Sequence, residues 1–248
     1  MVRFLLVLSL LLAVPVSGLA RSVDIRGPVS RALLVELFTS EGCSSCPRAE
    51  QWLNRAEARS DLWSRVVPVA FHVDYWDYIG WPDRFATREH SNRQRTYRDI
   101  GRLRSVYTPG FVVGGKEWRG WFRDPTLTLP AEVDIGSISV DVRDDRFDAR
   151  FVPVVEVPER IELHVARLGF DLVTEVGAGE NHGRTLEHKF VVLGWSRHPM
   201  RGRNGGVYEA SGELPGVSQP APREALAVWV SIPGDPLPIQ AAGDWLVN

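Results

Sequence analysis

Cysteine is almost missing from this chain: two in 248 residues, too few for the disulfide framework of a small secreted scaffold or for a four-cysteine zinc site. An excess of either charge is missing too. Lys and Arg total 29 against 31 Asp and Glu, a net charge of −2, so no field gathers the whole chain onto a polyanion and nucleic acid is not an expected partner. After residue 20 no apolar run approaches the roughly 20 residues that a membrane-spanning helix needs, and no internal repeat is visible. What is present is 44% hydrophobic and 24% charged residues with nine Trp, the composition of a folded chain rather than a disordered one. Its length suits one large domain or two small ones.

The one long apolar run stands at the start. Arg3 supplies a positive region, Phe4 to Val16 is almost unbroken in apolar residues, and Gly18-Leu19-Ala20 offers small residues for cleavage. This pattern reads as a secretory signal peptide over 1–20, the alternative being a permanent N-terminal anchor. Position 21 is Arg rather than Cys, so no lipid is expected there. The expectation is an exported protein, periplasmic or secreted, with no stable membrane insertion after cleavage.

Export bears on the cysteines, because an oxidising compartment lets a thiol pair cycle to a disulfide or remain one. Both lie in Cys43-Ser44-Ser45-Cys46. A purely structural bridge across so short a loop stabilises little, and zinc lacks the further ligands it needs. The flanks favour a reactive pair. Leu33 to Phe38 is a compact apolar run suited to a buried parallel strand. After the motif, Ala49, Trp52, Leu53 and Ala56 recur at helical spacing, with Ser44 or Ser45 as cap and Pro47 in the first turn. Cys43 is thereby placed at a helix N-terminus, where the dipole and free N–H groups favour a thiolate.

Val66 to Val73 reads as a second strand, parallel to the first, so that His72-Val73-Asp74-Tyr75-Trp76-Asp77 emerges on the edge that carries Cys43. A helix with a solvated, arginine-rich face is expected within 87–104. Phe111-Val112-Val113, Gly114-Gly115 and Lys116-Glu117-Trp118 then spell a hairpin.

Strand, Cys-x-x-Cys-Pro, helix, strand, helix, Thr-Pro and hairpin in this order resemble the thioredoxin fold. The resemblance implies a cis-proline facing the dithiol, at Pro109. A closer resemblance is to an exported thioredoxin-like family known only as a domain of unknown function. It is carried by residues 36–47, by His72 to Asp77, by Tyr107-Thr108-Pro109 and by Gly179-Glu180-Asn181 with Gly183-Arg184. The resemblance also implies a buried acid that serves as base for Cys46, at Glu36. The alternative is a Glu36 that only satisfies backbone groups or faces outward. A closing helix is not expected, since Pro125 and Pro130 break 122–130. From Ser137 onward, alternating apolar runs separated by Gly, Pro, Asp and Asn read as an all-β domain.

The expected fold class is thus an α/β thioredoxin-like N-terminal domain, 31–133, plus an all-β sandwich-like C-terminal domain, 137–248. The expected function is thiol–disulfide exchange with protein clients or a redox partner protein, through Cys43 and Cys46 with Pro109 and Glu36, and without a cofactor. Two alternatives stand beside it. One is a copper-binding chaperone using Cys43, Cys46 and His72, because soft sulfur with imidazole selects copper. The other is a non-catalytic adaptor. The aromatic group Tyr75, Trp76, Tyr78, Trp81 and Phe85 is read as packing, and His164, His188 and His198 as structural or surface residues.

Overall fold

The computed structural model describes residues 22–123, 126–203 and 205–247, so the expected signal peptide, 1–20, lies outside the described residues. After β1 (Ser22–Arg26), the first apolar run becomes β2 (Leu33–Thr39), buried at every position but the first. Both of its faces are covered, which is why it lacks polar alternation. A turn leads into α1 (Cys46–Asn54), with Pro47 in the first turn, where the missing N–H has no intrahelical partner to lose. β3 (Val66–His72) returns parallel to β2, in register from Leu33 against Val66 to Thr39 against His72. Thr87 caps α2 (Arg88–Asp99), its hydroxyl accepting from His90 N at 3.2 Å. β4 (Gly110–Val113) and β5 (Lys116–Trp118) form the expected hairpin. Gly114 and Gly115, at φ 53° and 79°, supply the left-handed pair that a two-residue turn requires.

The rest of the chain is β6 (Gly136–Arg143), β7 (Arg146–Pro153), β8 (Ile161–Phe170), β9 (Leu172–Glu175), β10 (Thr185–His188), β11 (Val191–Arg203), β12 (Val207–Glu213), β13 (Arg223–Ser231) and β14 (Gln240–Leu246). The expected fold class, a thioredoxin-like α/β domain followed by a β-sandwich, is overturned. Twelve strands form one mixed sheet in the order β1-β6-β7-β12-β11-β3-β2-β4-β5, with β8 bonded to β11 and β13, and β14 beside β13. β9 and β10 pair separately. Strands account for 45% of the structure and helices for only 15%. The join is β11: Val191 pairs parallel with Ala70 of β3, the central stretch runs antiparallel to β8, and the end pairs with β12.

β8 and β13 show why the two regions do not separate. On β8, Ile161, Leu163 and Val165 pack in a core with Ile138, Val140, Phe147 and Phe151, whereas Ala166, Leu168 and Phe170 pack in another with Phe38, Val69 and Phe190. β13 divides the same way, Leu226, Val228 and Val230 facing the first and Ala225, Ala227 and Trp229 the second. These strands are a layer common to two cores. Parting the cores would uncover Leu168, Phe170 and Trp229, and each large buried side chain contributes about 1.5–3 kcal/mol. One buried amide adds a polar tie: Gln240 Oε1 accepts from Ala32 N at 2.9 Å, and its Nε2 donates to Gly136 O at 2.7 Å. Among the described residues no helix is long and apolar enough to cross a membrane.

Candidate active site

The turn after β2 folds back on itself, Cys43 N donating to Ser40 O and Cys46 N to Cys43 O, both at 3.1 Å. This puts Cys43 three residues before α1 and Cys46 at its first residue. Both are free thiols, 2% and 0% exposed, with Ser44 and Ser45 exposed beside them. Ser45 is the N-cap residue, yet its hydroxyl caps no backbone N–H and lies 3.3 Å from Cys43 Sγ. The side chain expected to complete the helix is turned to the sulfur.

The two thiols are tuned apart. Cys43 is pulled down to about 6, chiefly by the hydrogen bond from the Cys46 thiol, with Ser45 and Thr108 adding to it and burial opposing. Cys46 is pushed well above the ordinary range, because burial penalises its thiolate and Cys43 and Glu50 place negative charge beside it. The pair therefore holds its one proton on Cys46 and its negative charge on Cys43 at neutral pH.

Two segments from elsewhere brace the motif. Thr108–Pro109 is a cis peptide, and its loop hangs from α2: Gln94 Nε2 donates to Tyr107 O at 2.6 Å and Gln94 Oε1 accepts from Tyr75 OH at 2.9 Å. Trp76 Nε1 donates to Thr108 Oγ1 at 2.7 Å, while Thr108 bonds the Cys43 sulfur. Pro109 is thus brought beside the dithiol. From the opposite side comes the turn between β9 and β10. Asn181, fully buried, donates to Glu41 O at 2.7 Å and to Cys43 O at 2.9 Å, and Glu180 Oε2 accepts from Ser44 N at 3.0 Å. Nothing local in the sequence assigns Asn181 this work, because its contact with Cys43 spans 138 positions.

Glu36 is buried in mid-strand, but the expected role as base for Cys46 needs correction. Its oxygens are taken by Arg93 Nε and Tyr97 OH, each at 2.5 Å. Arg93, expected on a solvated face, is itself buried over the rings of Phe71, Tyr97, Trp195 and Trp229. The carboxylate that acts on Cys46 is Glu50. It sits one helical turn from Cys46 on the same face, a spacing visible in the sequence. Thr39 lies beside both, donating to Glu50 Oε1 at 2.5 Å.

His72 does not complete a ligand set with the sulfurs. Its Nδ1 bonds Asp83 Oδ2 at 2.7 Å, and the donor atoms that converge, all within 4.8 Å, belong to Glu50, His72 and His188. The copper set of Cys43, Cys46 and His72 is not assembled. His188, read from sequence as structural or surface, is buried, with Nδ1 on Glu50 Oε2 at 2.5 Å and Nε2 3.3 Å from Glu41 Oε1. Burial opposes its charge, but Glu50 and Glu41 prevail and raise it to about 10. The aromatic group divides: Phe85 packs on the rings of His72 and His188 at 5.0 and 5.2 Å, Trp81 Nε1 donates to Glu41 Oε2 at 2.8 Å, and Tyr78 is 82% exposed.

A family model described as "Protein of unknown function (DUF1223)" matches residues 34–231, and the chain belongs to that family. Two solved structures are similar. A crystal structure of a protein from Agrobacterium tumefaciens is 24% identical with a TM-score of 0.56, over 87% of this chain and 93% of that one. HBP35 of Porphyromonas gingivalis is 17% identical with a TM-score of 0.52, over 88% of this chain and 76% of that one. At these identities the likeness is one of fold. No curated protein matches the chain.

Proposed function

We propose that the protein is an exported thiol–disulfide oxidoreductase acting on protein clients, with Cys43 as nucleophile and Cys46 as resolving thiol. The observation that carries this reading is the placement of two free thiols at the start of α1, with the Ser45 hydroxyl 3.3 Å from Cys43 Sγ; the opposed tuning of the two sulfurs, Cys43 down and Cys46 up, supports it. The Cys43 thiolate attacks one sulfur of a client disulfide, the client S–S bond breaks, and the first client thiolate leaves. Cys46 then attacks Cys43 Sγ in the mixed disulfide, its proton passing to the departing client sulfur. The second client thiol departs, the client has gained two electrons, and Cys43–Cys46 is a disulfide. The reverse sequence oxidises a client dithiol. The Cys-Ser-Ser-Cys-Pro motif and the cis Thr108–Pro109 bond support a chemistry resembling that of thioredoxin-like enzymes, a resemblance of the site. Pro109 offers a client backbone without an N–H beside Cys43. The positive Arg3 and the apolar run from Phe4 to Val16 support export.

The test is exchange between the reduced protein and a disulfide-bonded peptide. Cys46→Ser is expected to accumulate a mixed disulfide on Cys43, and Cys43→Ser to be inert. Exchange no faster than that of a free dithiol, or a Cys43→Ser variant at the wild-type rate, would overturn the reading.

A further inference from the structure

Behind the dithiol, α1 and the last residues of β3 and β10 bring together Glu50, His72 and His188. They are 5%, 1% and 1% exposed, and one donor atom from each lies within 4.8 Å of the others. His72 gives Nδ1 to Asp83 and His188 gives Nδ1 to Glu50; His72 Nε2 has no hydrogen-bond partner, and His188 Nε2 has only the ion-pair approach of Glu41 Oε1 at 3.3 Å. Leaving a buried polar atom unpaired is costly. Native interiors hold few such atoms, and His72 Nε2 is one of them.

We propose that Glu50, His72 and His188 bind one divalent first-row transition-metal ion of the Zn²⁺ type, in a nitrogen–oxygen site separate from the dithiol. Two imidazoles and a carboxylate are borderline donors that suit zinc and its neighbours, whereas calcium and magnesium call for oxygen alone. Asp83 behind His72 Nδ1 sets the tautomer that leaves Nε2 free as a ligand, an arrangement that recurs behind metal-bound histidines. The local charge agrees. Glu41, Glu50 and Asp83 are all buried within this region, and a dication bound to the imidazoles displaces the protons held there and takes over the positive charge that faces these carboxylates. A cleft of about 440 Å³ between α1 and β10, walled by Pro47, Asn54, Leu186 and Lys189, reaches Glu50 and provides an entry path.

The experiment uses the full chain freed of metal by chelation, titrated with Zn²⁺ by calorimetry and with Co²⁺ by absorption. The Cys43→Ser/Cys46→Ser double variant, His72→Gln and His188→Gln are titrated beside it. One equivalent is expected in the wild type and in the cysteine-free variant, with a Co²⁺ spectrum lacking thiolate charge transfer, and binding at least about 100-fold weaker in each histidine variant. No binding by the wild type, or binding lost with the cysteines, would overturn the proposal. Should a histidine variant fail to fold, Asp83→Asn keeps all three ligands and is expected to weaken binding by about 10–100-fold; unchanged affinity there also overturns it. Because the decisive variant has no thiols, the result is independent of the redox reading.

Discussion

Replacing Thr108 with Val tests how Cys43 is activated. The Cys43 thiol stands at about 6 against an ordinary 9.0. Three pKa units are a thousandfold preference for the thiolate, so at pH 7 about nine-tenths of Cys43 is ionised, against about 1% of an unperturbed thiol. A hydrogen bond to a charged group contributes about 1.5–3 kcal/mol. Thr108 ranks behind Cys46 and Ser45 among the groups that hold the thiolate, which puts its share at the lower end, about one pKa unit. Val keeps the shape of Thr and removes only the hydroxyl. Thr108→Val is therefore expected to move the midpoint of Cys43 alkylation up by about one unit. Trp76→Phe, which removes the indole donor to Thr108, separates loss of the hydroxyl from loosening of the loop. The assay is the rate of iodoacetamide labelling against pH, with the site read by mass spectrometry; the wild type should plateau above its midpoint and leave Cys46 unlabelled. Stability follows with a definite sign. The lowered Cys43 contributes stability to the reduced protein that grows from the folded value of about 6 up to the ordinary thiol range and is lost as pH falls through about 6, while the raised Cys46 opposes it above that range. A wild-type midpoint near 9.0, equal labelling of the two cysteines, or an unmoved midpoint in Thr108→Val would refute the reasoning.

Three further outcomes are expected. Asn181→Ala leaves Glu41 O and Cys43 O without their buried donor, which should cost about 1–3 kcal/mol in denaturant unfolding and broaden the Cys43 titration; an unchanged unfolding curve would count against the bracing role. Arg93→Met strands the Glu36 carboxylate in the core and should cost about 3–5 kcal/mol, whereas Arg93→Met/Glu36→Leu should recover most of it, because an uncompensated buried charge is worse than none; a harmless single variant would contradict this. The lowered Cys43 pKa favours the dithiol form, so equilibration with glutathione should give a reduction potential less negative than about −270 mV, and a more negative value would be inconsistent with that pKa.

Local order was legible where neighbours in sequence impose it. The apolar run of β2, Pro47 in the first turn of α1, the Gly114-Gly115 turn and the spacing of Cys43 and Cys46 all act within a few residues, and the structure places them accordingly. Burial of Glu36 was one of two readings that the sequence left open, the other having it face outward, and the structure buries it. Its partner was not legible. Arg93, on a helix that looks solvated by composition, reaches it across 57 positions, and His188 meets Glu50 across 138. The fold class was misjudged for the same reason: hydrophobic periodicity reports that a side chain is buried but not against what, and the runs of β8 and β13 read alike whether they cover one core or divide two. Only the register of β11 against β3 and β8 settles which distant groups meet. Sequence alone determined where the apolar strands run and where the two thiols sit along the chain; the tertiary structure decided which charged groups are buried and which charges they meet there, because pairing buried charges depends on distances of a few ångströms that no local pattern encodes.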